Sequence, residues 1–505
     1  MAPDCTESTP LLESRRFQLQ YLSPVGAAKI LARAKTAPLY LEARVLGSPW
    51  DDTRFNAFQE ELRACVPRIC HLLFSADIIQ LAQTYKGFIS PAPALEHLSL
   101  ICQSPSHLQV DFIPGTLFGG IAPRLSRLEL HQCGIDWMSP LLKNLRYLDI
   151  RSPSMFAVPH HSIWLDALDE MPQLKMLTLE AACPKADDAG PIPFDVKRTA
   201  TIPSLTHFNI SDSPRDCAFA LAHLDLPALT CLSAKTFSSL EDGNDVRDIF
   251  PYIGKHAHGS QDDQPLQSVL IRSEPTRIDV LAWPSPKIDD EVQESTLLAN
   301  IAPARIALSF WSENWNHFDV RNEIFGPMMT AVPLDDLVTL IVQDFLRPAF
   351  EPCFKKPWLP NFPRFPLLHH VQLTFVLATR FINWLQADKG GHEDPLLPSL
   401  KELVVFGAYL DESWTPHLCE ALMKRVEQGV PLEVLDLRTC LPVRPPAVRL
   451  LSDIVVDVLA PEETAEARVR MISISRLARR ALVYPEEESE LQLDRNSMIR
   501  KNLPR

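Results

Sequence analysis

The potentially catalytic side chains of this sequence do not occur at the spacing of a known catalytic motif. Residues 115–120 (GTLFGG) are rich in glycine, but they lack the Lys-Ser/Thr ending with which a P-loop holds phosphate, so we expect a turn there. The chain contains neither a G-x-S-x-G nucleophile elbow nor an H-E-x-x-H zinc helix. The sequence therefore predicts no catalytic, cofactor-binding or metal-binding residue, and an enzyme with a cryptic site is kept only as a third alternative.

Histidine and cysteine, which often bind metals or act as nucleophiles, also lack a chelating arrangement. Adjacent histidines occur at positions 160–161 and 369–370. Neighbouring residues of a strand point to opposite faces, so neither pair is expected to bind a single metal ion. The 11 cysteines form no C-x-x-C pair and lie mostly in apolar runs, which is typical of small buried side chains in a reducing compartment.

Composition and charge limit the classes of partner. The chain has 505 residues with 46% apolar and 22% charged side chains, which are ordinary values for a folded protein. Its net charge of −14 repels phosphate backbones, so we expect no nucleic-acid partner. We expect no membrane partner either, because no apolar stretch has 18 residues and the N-terminus does not resemble a signal peptide. The expected location is the cytoplasm or the nucleus.

A short aliphatic template recurs along the chain. It has the form L-x-x-L-x-L, with any large aliphatic residue or Phe allowed, and its copies begin at Ile69, Leu95, Leu125, Leu145, Leu174, Leu205, Leu229, Leu266, Leu337, Leu368, Leu400 and Leu432. A degenerate copy contains Ile306 and Leu308. The last three steps are 31, 32 and 32 residues long, which indicates an internal repeat.

Proline recurs in phase with this template. It lies two residues before the first template position at Pro67, Pro93, Pro123, Pro172, Pro203, Pro227, Pro366 and Pro398. Proline cannot continue a preceding helix and is tolerated at the first residue of a strand. Each copy therefore predicts a helix or loop that ends at the proline and is followed by a short strand.

These repeats predict an α/β leucine-rich-repeat solenoid. The L-x-L pair places two aliphatic side chains on one face of a strand, and one strand alone cannot bury that face. We expect a horseshoe with a parallel sheet on its concave face and helices or loops on its convex face. Cys133 and Cys440 lie three residues after the last template aliphatic, where such repeats often place Asn or Cys to bond the turning backbone. The alternative is an ordinary α/β domain with leucine-rich strands.

The predicted organisation has four parts. Residues 1–20 are expected to be disordered, and residues 21–66 to form a cap with helices at 25–34 and 53–64 and a strand at 38–45. The repeat array covers residues 67–440, with an irregular middle at about 236–330. Residues 441–505 are expected to form a C-terminal cap, a helix and an acidic tail.

The residues between template aliphatics point away from the core, onto the predicted concave surface. Curved repeat surfaces of this kind commonly bind partners. The candidate protein-binding residues are Arg127, Glu129, His131, Tyr147, Asp149, Arg151, Met176, Thr178, Glu180, His207 and Asn209. Tyr and Arg are enriched among the residues that dominate protein interfaces. The alternative is an ordinary solvated strand face.

Two stretches resemble a known family. Residues 92–150 (APALEHLSLIC to LRYLDI) and residues 27–43 (AAKILARAKTAPLYLEA) resemble the mushroom-type fungal F-box and leucine-rich-repeat proteins. The resemblance implies a substrate adaptor of a cullin-type ubiquitin ligase, in which an F-box docks on a Skp-family adaptor and the repeats hold the substrate.

This sequence departs from the family at the F-box. No F-box pattern precedes Ala27, so the family's docking residues transfer to no position here. We expect a Skp-family adaptor and a cullin as partners only if an F-box exists upstream. The predicted function is binding of a protein substrate or partner without catalysis, and the alternative is a stand-alone scaffold without ligase docking.

Overall fold

The computed structural model describes residues 15–18, 24–34, 36–44, 52–103, 113–153, 159–185, 198–237, 244–257, 264–274, 276–286, 304–311, 326–344, 365–386, 395–406, 414–440 and 445–460. The chain forms two compact units, Met1–Asp212 with Ala222–Leu229 and Ser213–Leu221 with Thr230–Arg505. Each unit combines helices with a mostly parallel sheet, so the predicted α/β class is confirmed. The helix and acidic tail predicted within 461–505 lie outside the described residues.

In the first unit, strands and return segments alternate along the chain. The strands are β1 (Arg15–Gln18), β2 (Leu39–Arg44), β3 (Ile69–Ala76), β4 (His97–Cys102), β5 (Arg127–His131), β6 (Tyr147–Arg151), β7 (Met176–Glu180), β8 (Ala200–Thr201), β9 (His207–Asp212) and β10 (Leu224–Asp225). The sheet runs β1-β2-β3-β4-β5-β6-β7-β9 with every pair parallel, while β8 pairs with β10 alone. The helices are α1 (Pro24–Arg33), α2 (Asp52–Cys65), α3 (Ile78–Tyr85) and α4 (His161–Asp169), with short 3-10 turns at Val66–Arg68, Leu117–Gly120 and Pro140–Leu142.

Two aliphatic ladders hold this sheet together. The fourth and sixth template positions lie in register from strand to strand, and two residues of β2 pair with the first copy in the same way. All these side chains are at most 3% exposed. The first ladder contains Leu41, Leu72, Leu98, Leu128, Leu148, Leu177 and Phe208, and the second contains Ala43, Phe74, Leu100, Leu130, Ile150, Leu179 and Ile210. Burial of a Leu or Ile side chain stabilises a fold by about 1.5–3 kcal/mol. The template therefore marks the residues that bury the sheet.

The in-phase prolines form a turn that the sequence pattern had not specified. The amide of Leu95 donates to the carbonyl of Ala92, and the amide of Leu174 donates in the same way to the carbonyl of Met171. Proline occupies the second position of each turn, where its fixed φ suits a β-turn. The residue before the proline is apolar and buried, so each turn is anchored in the core immediately before its strand.

A second repeated feature ends the strands. Gln132, Ser152 and Ala181 adopt left-handed backbone conformations, with φ of 56°, 47° and 51°. The amide of Gln132 donates to the carbonyl of Arg151 at 2.7 Å, and the amides of Ser152 and Ala181 donate to the last or next-to-last carbonyl of the following strand. Such φ values are uncommon outside glycine, and here a hydrogen bond to the following strand offsets the strain.

Cys133 and Cys440 behave as predicted for structural thiols. The thiol of Cys133 contacts the Leu100 carbonyl at 3.8 Å, and that of Cys440 contacts the Val405 carbonyl at 3.2 Å. Leu100 and Val405 are equivalent template positions on the preceding strands. Burial raises the pKa of the Cys133 thiol to about 12, so the nucleophilic thiolate is scarce at neutral pH. No disulfide joins the cysteines of the described segments.

In the second unit, the strands are β11 (Cys231–Phe237), β12 (Ser268–Glu274), β13 (Arg277–Trp283), β14 (Ile306–Trp311), β15 (Thr339–Asp344), β16 (His370–Thr374), β17 (Glu402–Phe406), β18 (Val434–Asp436) and β19 (Asp457–Leu459). The helices are α5 (Pro214–Ala222), α6 (Phe250–Ala257), α7 (Phe375–Gln386), α8 (Trp414–Glu427) and α9 (Pro445–Ser452), with a 3-10 segment at Asn244–Ile249. From β12 the sheet continues in parallel through β15, β16, β17, β18 and β19.

The expectation of one parallel strand per repeat is wrong in the irregular middle. β12 and β13 form an antiparallel hairpin, β13 also pairs antiparallel with β14, and β14 pairs parallel with β11. The order in space is therefore β11-β14-β13-β12-β15. The residues of β12 and β13 are almost all buried. A strand that is buried on both faces has a nearly continuous apolar sequence (here SVLI and VLAW), whereas the template has aliphatic residues on one face only.

The elements near the two ends of the chain and at the first histidine pair agree only in part with the sequence-based expectations. Helices α1 and α2 and strand β2 confirm the elements predicted at 25–34, 53–64 and 38–45. Arg15–Gln18 is a strand, so the expectation of disorder over 1–20 is wrong for those residues, because they pair with β2. The sheet also continues past Cys440 into β19. His160 and His161 begin α4, so the strand argument does not apply to them.

The ladders predict a large difference between buried and exposed aliphatic residues. Leu148 is fully buried, and Leu148→Ala should lower the free energy of unfolding by about 2–5 kcal/mol. Ile79→Ala on the exposed side of α3 should change it by less than about 0.5 kcal/mol. Urea unfolding followed by circular dichroism measures both values. Similar losses for the two variants would contradict the ladder assignment.

Burial predicts that Cys133 is chemically inert in the folded protein. At pH 8 we expect iodoacetamide to modify Cys133 at least about 100-fold more slowly in the native chain than in urea, because its thiolate is scarce and shielded. The half-exposed Cys70 is the internal comparison and should be modified faster. Peptide mass spectrometry reports both rates, and equal native and unfolded rates at Cys133 would refute its structural role.

Candidate functional site

The predicted binding residues share one face of the first unit's sheet. We call this the polar face: the side of strands β2–β7 and β9 opposite the aliphatic ladders. All eleven candidate residues lie on it, in three rows that cross the strands in register. One row contains Arg127, Tyr147, Met176 and His207, the middle row contains Glu129, Asp149, Thr178 and Asn209, and the third contains His131, Arg151 and Glu180.

Arg127 is the centre of one locked group. Its guanidinium bonds Glu129 through Nε at 2.7 Å and through Nη2 at 2.5 Å, and it lies 4.0 Å from the centre of the Tyr147 ring. A cation over an aromatic face is attracted by the ring quadrupole. His97 on β4 approaches the same Glu129 carboxylate at 3.6 Å. The four side chains therefore fix one another across three adjacent strands.

This group changes the protonation of two members. The His97 contact and, after it, Arg127 lower the pKa of Glu129 to about 2, against the opposing effect of burial. Burial raises the pKa of the Tyr147 phenol, which therefore stays neutral at physiological pH. A carboxylate with a pKa of about 2 is a very weak base at neutral pH. Glu129 is therefore suited to holding Arg127 and His97 and not to moving protons.

Arg151 and Asp149 form a second locked pair. Arg151 donates from Nε and Nη2 to the two oxygens of Asp149, at 2.9 and 2.8 Å. This bidentate contact raises the pKa of Arg151, and the Asp149 side chain is only 4% exposed. Bidentate pairs of this type are geometrically specific. Arg151 is therefore held in one orientation at the surface.

The other candidate residues are less tightly coupled. The Asn209 amide donates to the Thr178 hydroxyl at 3.3 Å, and the His207 ring lies 2.9 Å from the Thr206 hydroxyl. Met176, His131 and Glu180 are half-buried members of the same rows. They extend the polar face without belonging to the two locked groups.

The polar face continues beyond the eleven candidate residues onto β2, β3 and β4. Tyr40 on β2 stacks on His71 of β3 at 4.4 Å, and His71 meets His97 edge to face at 5.5 Å. These three residues extend the row of Arg127 and Tyr147 in register. The alternation in β2 and the weak template copy at Ile69 were the available signals, since both place these side chains opposite the core.

The corresponding side of the second unit is different, because much of it is buried. Leu270, Leu281, Trp283, Ala304 and Ile341 form an apolar cluster there, each at most 8% exposed. One ion pair lies on the same side, with Arg277 bound to Asp279 at 2.5 Å. Asp279 also accepts a hydrogen bond at 2.6 Å from Ser309, its register partner on β14. A covered, apolar surface of this kind is core, so the polar face of the first unit is the better candidate site.

Arg124, Arg127, Arg146 and Arg151 do not share one surface. Arg127 and Arg151 lie on the polar face, whereas Arg124 and Arg146 line a surface groove of about 380 Å³ where the strands begin. Glu96 lines the same groove and offsets part of its charge. The basic residues are therefore divided between two places.

No group of three His, Cys, Asp or Glu side chains in the described segments is arranged to hold a metal ion. Among those same segments, no helix has both the length and the apolar character needed to cross a membrane. Compared with known protein families and with curated proteins, the sequence matches no family model and no curated protein.

The depressed pKa of Glu129 predicts a pH-dependent contribution to stability. A carboxyl with a folded pKa near 2 and an unfolded pKa near 4.3 stabilises the fold above about pH 4.3 and loses that contribution as the pH falls towards 2. Glu129→Gln should therefore lower the free energy of unfolding by about 1–3 kcal/mol at pH 7, and by clearly less at pH 3.

Urea unfolding of both proteins at the two pH values tests this expectation. Glu433→Gln is the control, because Glu433 forms an exposed ion pair with Lys401 at 2.9 Å, and exposed pairs contribute little. A Glu129→Gln penalty that is the same at pH 7 and pH 3 would show that the ion pair is not its source.

Proposed function

We propose that this protein binds a partner protein, without catalysis, through the polar face of its first unit. The observation that carries the proposal is the pair of locked groups around Arg127 and Arg151. Each guanidinium is fixed by a more buried carboxylate, and each arginine side chain remains about 45% exposed. Tyr and Arg are the residue types that dominate protein interfaces, and a fixed side chain loses less entropy on binding.

We also propose that each unit is a leucine-rich-repeat segment, with the polar face on the concave side of the first unit's sheet. The in-register aliphatic ladders, the repeated proline turns and the equivalent contacts of Cys133 and Cys440 support this interpretation. Solenoids of this class commonly bind partners on that surface. The proposed location is the cytoplasm or the nucleus.

The link to a ubiquitin ligase is a further part of the proposal. It rests on the resemblance to fungal F-box and leucine-rich-repeat proteins, whose repeats hold a substrate for a cullin-type ligase. Affinity purification from the native host separates it from a stand-alone scaffold. Recovery of a Skp-family adaptor and a cullin supports the ligase role, and recovery of other partners without them favours the scaffold.

The binding proposal predicts that the locked groups are needed for partner capture. The triple variant Arg127→Ala, Tyr147→Ala and Arg151→Ala should reduce recovery of the wild-type partners at least about tenfold, because interface residues of this type often contribute 2 kcal/mol or more each. Quantitative mass spectrometry of affinity-purified material measures the change.

The matched control is the triple variant Lys29→Ala, Arg33→Ala and Lys86→Ala, which removes three exposed cations from helical segments of the same unit. It should leave partner recovery unchanged. Circular dichroism melting establishes that both variants are folded. If the polar-face variant is folded and recovers the same partners in the same amounts, the polar face is not the binding surface.

A further inference from the structure

The arginines of the polar face share one arrangement with their acids. Arg127 and Glu129, like Arg151 and Asp149, are two residues apart on one strand and form an ion pair. The arginine side chains are 44% and 45% exposed, whereas Glu129 and Asp149 are 16% and 4% exposed. The carboxylates therefore lie at the base of the face and the guanidiniums at its surface.

The same arrangement recurs at two other strands. On β2, Arg44 bonds Glu42 at 2.9 Å, and the arginine is 48% exposed against 25% for the acid. At the end of β18 in the second unit, Arg438 bonds Asp436, with side-chain exposures of 65% and 10%. At four strands, therefore, an exposed arginine is oriented by a less exposed acid two residues away.

Glu129 and Asp149 each occupy only part of the guanidinium above them. In Arg127 and Arg151 the carboxylate takes the Nε and Nη2 side, and within the described residues no hydrogen bond or ion pair of these two arginines involves Nη1. A guanidinium carries five N–H donors in a planar fork that matches a carboxylate. The outer edge of each of these two forks can therefore donate hydrogen bonds to a second carboxylate, supplied by a ligand.

The register sets the spacing of these cations. Arg44 and Arg151 lie in the same row, four strands apart, which is about 19 Å at about 4.8 Å per strand. His131 lies between them in that row, one strand from Arg151. An extended peptide covers this distance with about six residues, whose alternate side chains face the same way.

We propose that the polar face binds an acidic, extended segment of its partner, with the outer edges of the oriented arginines holding Asp or Glu carboxylates. This inference rests on the proposed binding function and adds the chemistry of the partner. A protein segment is favoured over a nucleic acid because the chain carries a net charge of −14, and a duplex extends beyond the face and meets that charge.

Fluorescence anisotropy of the full chain with a labelled peptide of about 12 residues, alternating Glu and Ser, tests the inference. The matched peptides carry Gln or Lys in place of Glu. We expect only the Glu peptide to bind, and the double variant Arg127→Gln with Arg151→Gln to weaken its binding about tenfold or more. The control, Lys29→Gln with Arg33→Gln, loses the same charge and should bind like the wild type.

The variant Asp149→Asn distinguishes peptide binding by oriented arginines from peptide binding by positive charge alone. The substitution makes the face more positive but removes the bidentate partner of Arg151. Oriented binding predicts weaker capture of the Glu peptide by Asp149→Asn, whereas net charge alone predicts tighter capture. Tighter binding by this variant would contradict the proposal.

The remaining outcomes also decide the question. If the Glu peptide does not bind at about 1 mM, the acidic-partner inference is wrong, and the proposed function still stands if the triple variant loses its natural partners. Binding of a DNA oligonucleotide of equal charge as tightly as the Glu peptide would overturn the choice of a protein ligand.

Discussion

The structure depends on one constraint, which is that no single strand of this chain can bury its two inward aliphatic side chains alone. In the first unit the solution is a set of parallel strands whose inward residues stack in register, from Leu41 to Phe208. The second unit uses the same solution from β12 to β19. The proline turns and the left-handed residues at the strand ends support this stacking, because they begin and end neighbouring strands at equivalent register positions.

The stacking also determines what the other face of the sheet can do. Since the ladders fix the register, side chains on neighbouring strands meet at defined positions, and Arg127 can lie over Tyr147 while its acid is shared with His97. A loop would not hold these groups with the same precision. The polar face is therefore rigid because the core beneath it is aliphatic and close-packed.

Much of this was predictable from the sequence, because the periodicity of the aliphatic residues determines which side chains are buried. The template located β3 to β7, β9, β11, β12 and β14 to β18, and it placed all eleven candidate residues on one face. It could not reveal β13, because a strand buried on both faces loses the alternation on which the template depends. It also could not reveal that Asp149 lies deeper than Arg151, or that His97 shares Glu129, since those contacts depend on side-chain conformations across strands.

The most direct test of the account is the register between β7 and β9, where Thr178 lies opposite Asn209. The double variant Thr178→Cys with Asn209→Cys should form a crosslink under mild oxidation, detected by mass spectrometry, because opposed residues of paired strands are close enough for a disulfide. The pair Met176→Cys with Ser211→Cys is displaced by four residues along the strands and should not react. Equal crosslinking of both pairs, or crosslinking of the displaced pair alone, would contradict the parallel stacking on which the ladders and the polar face rest.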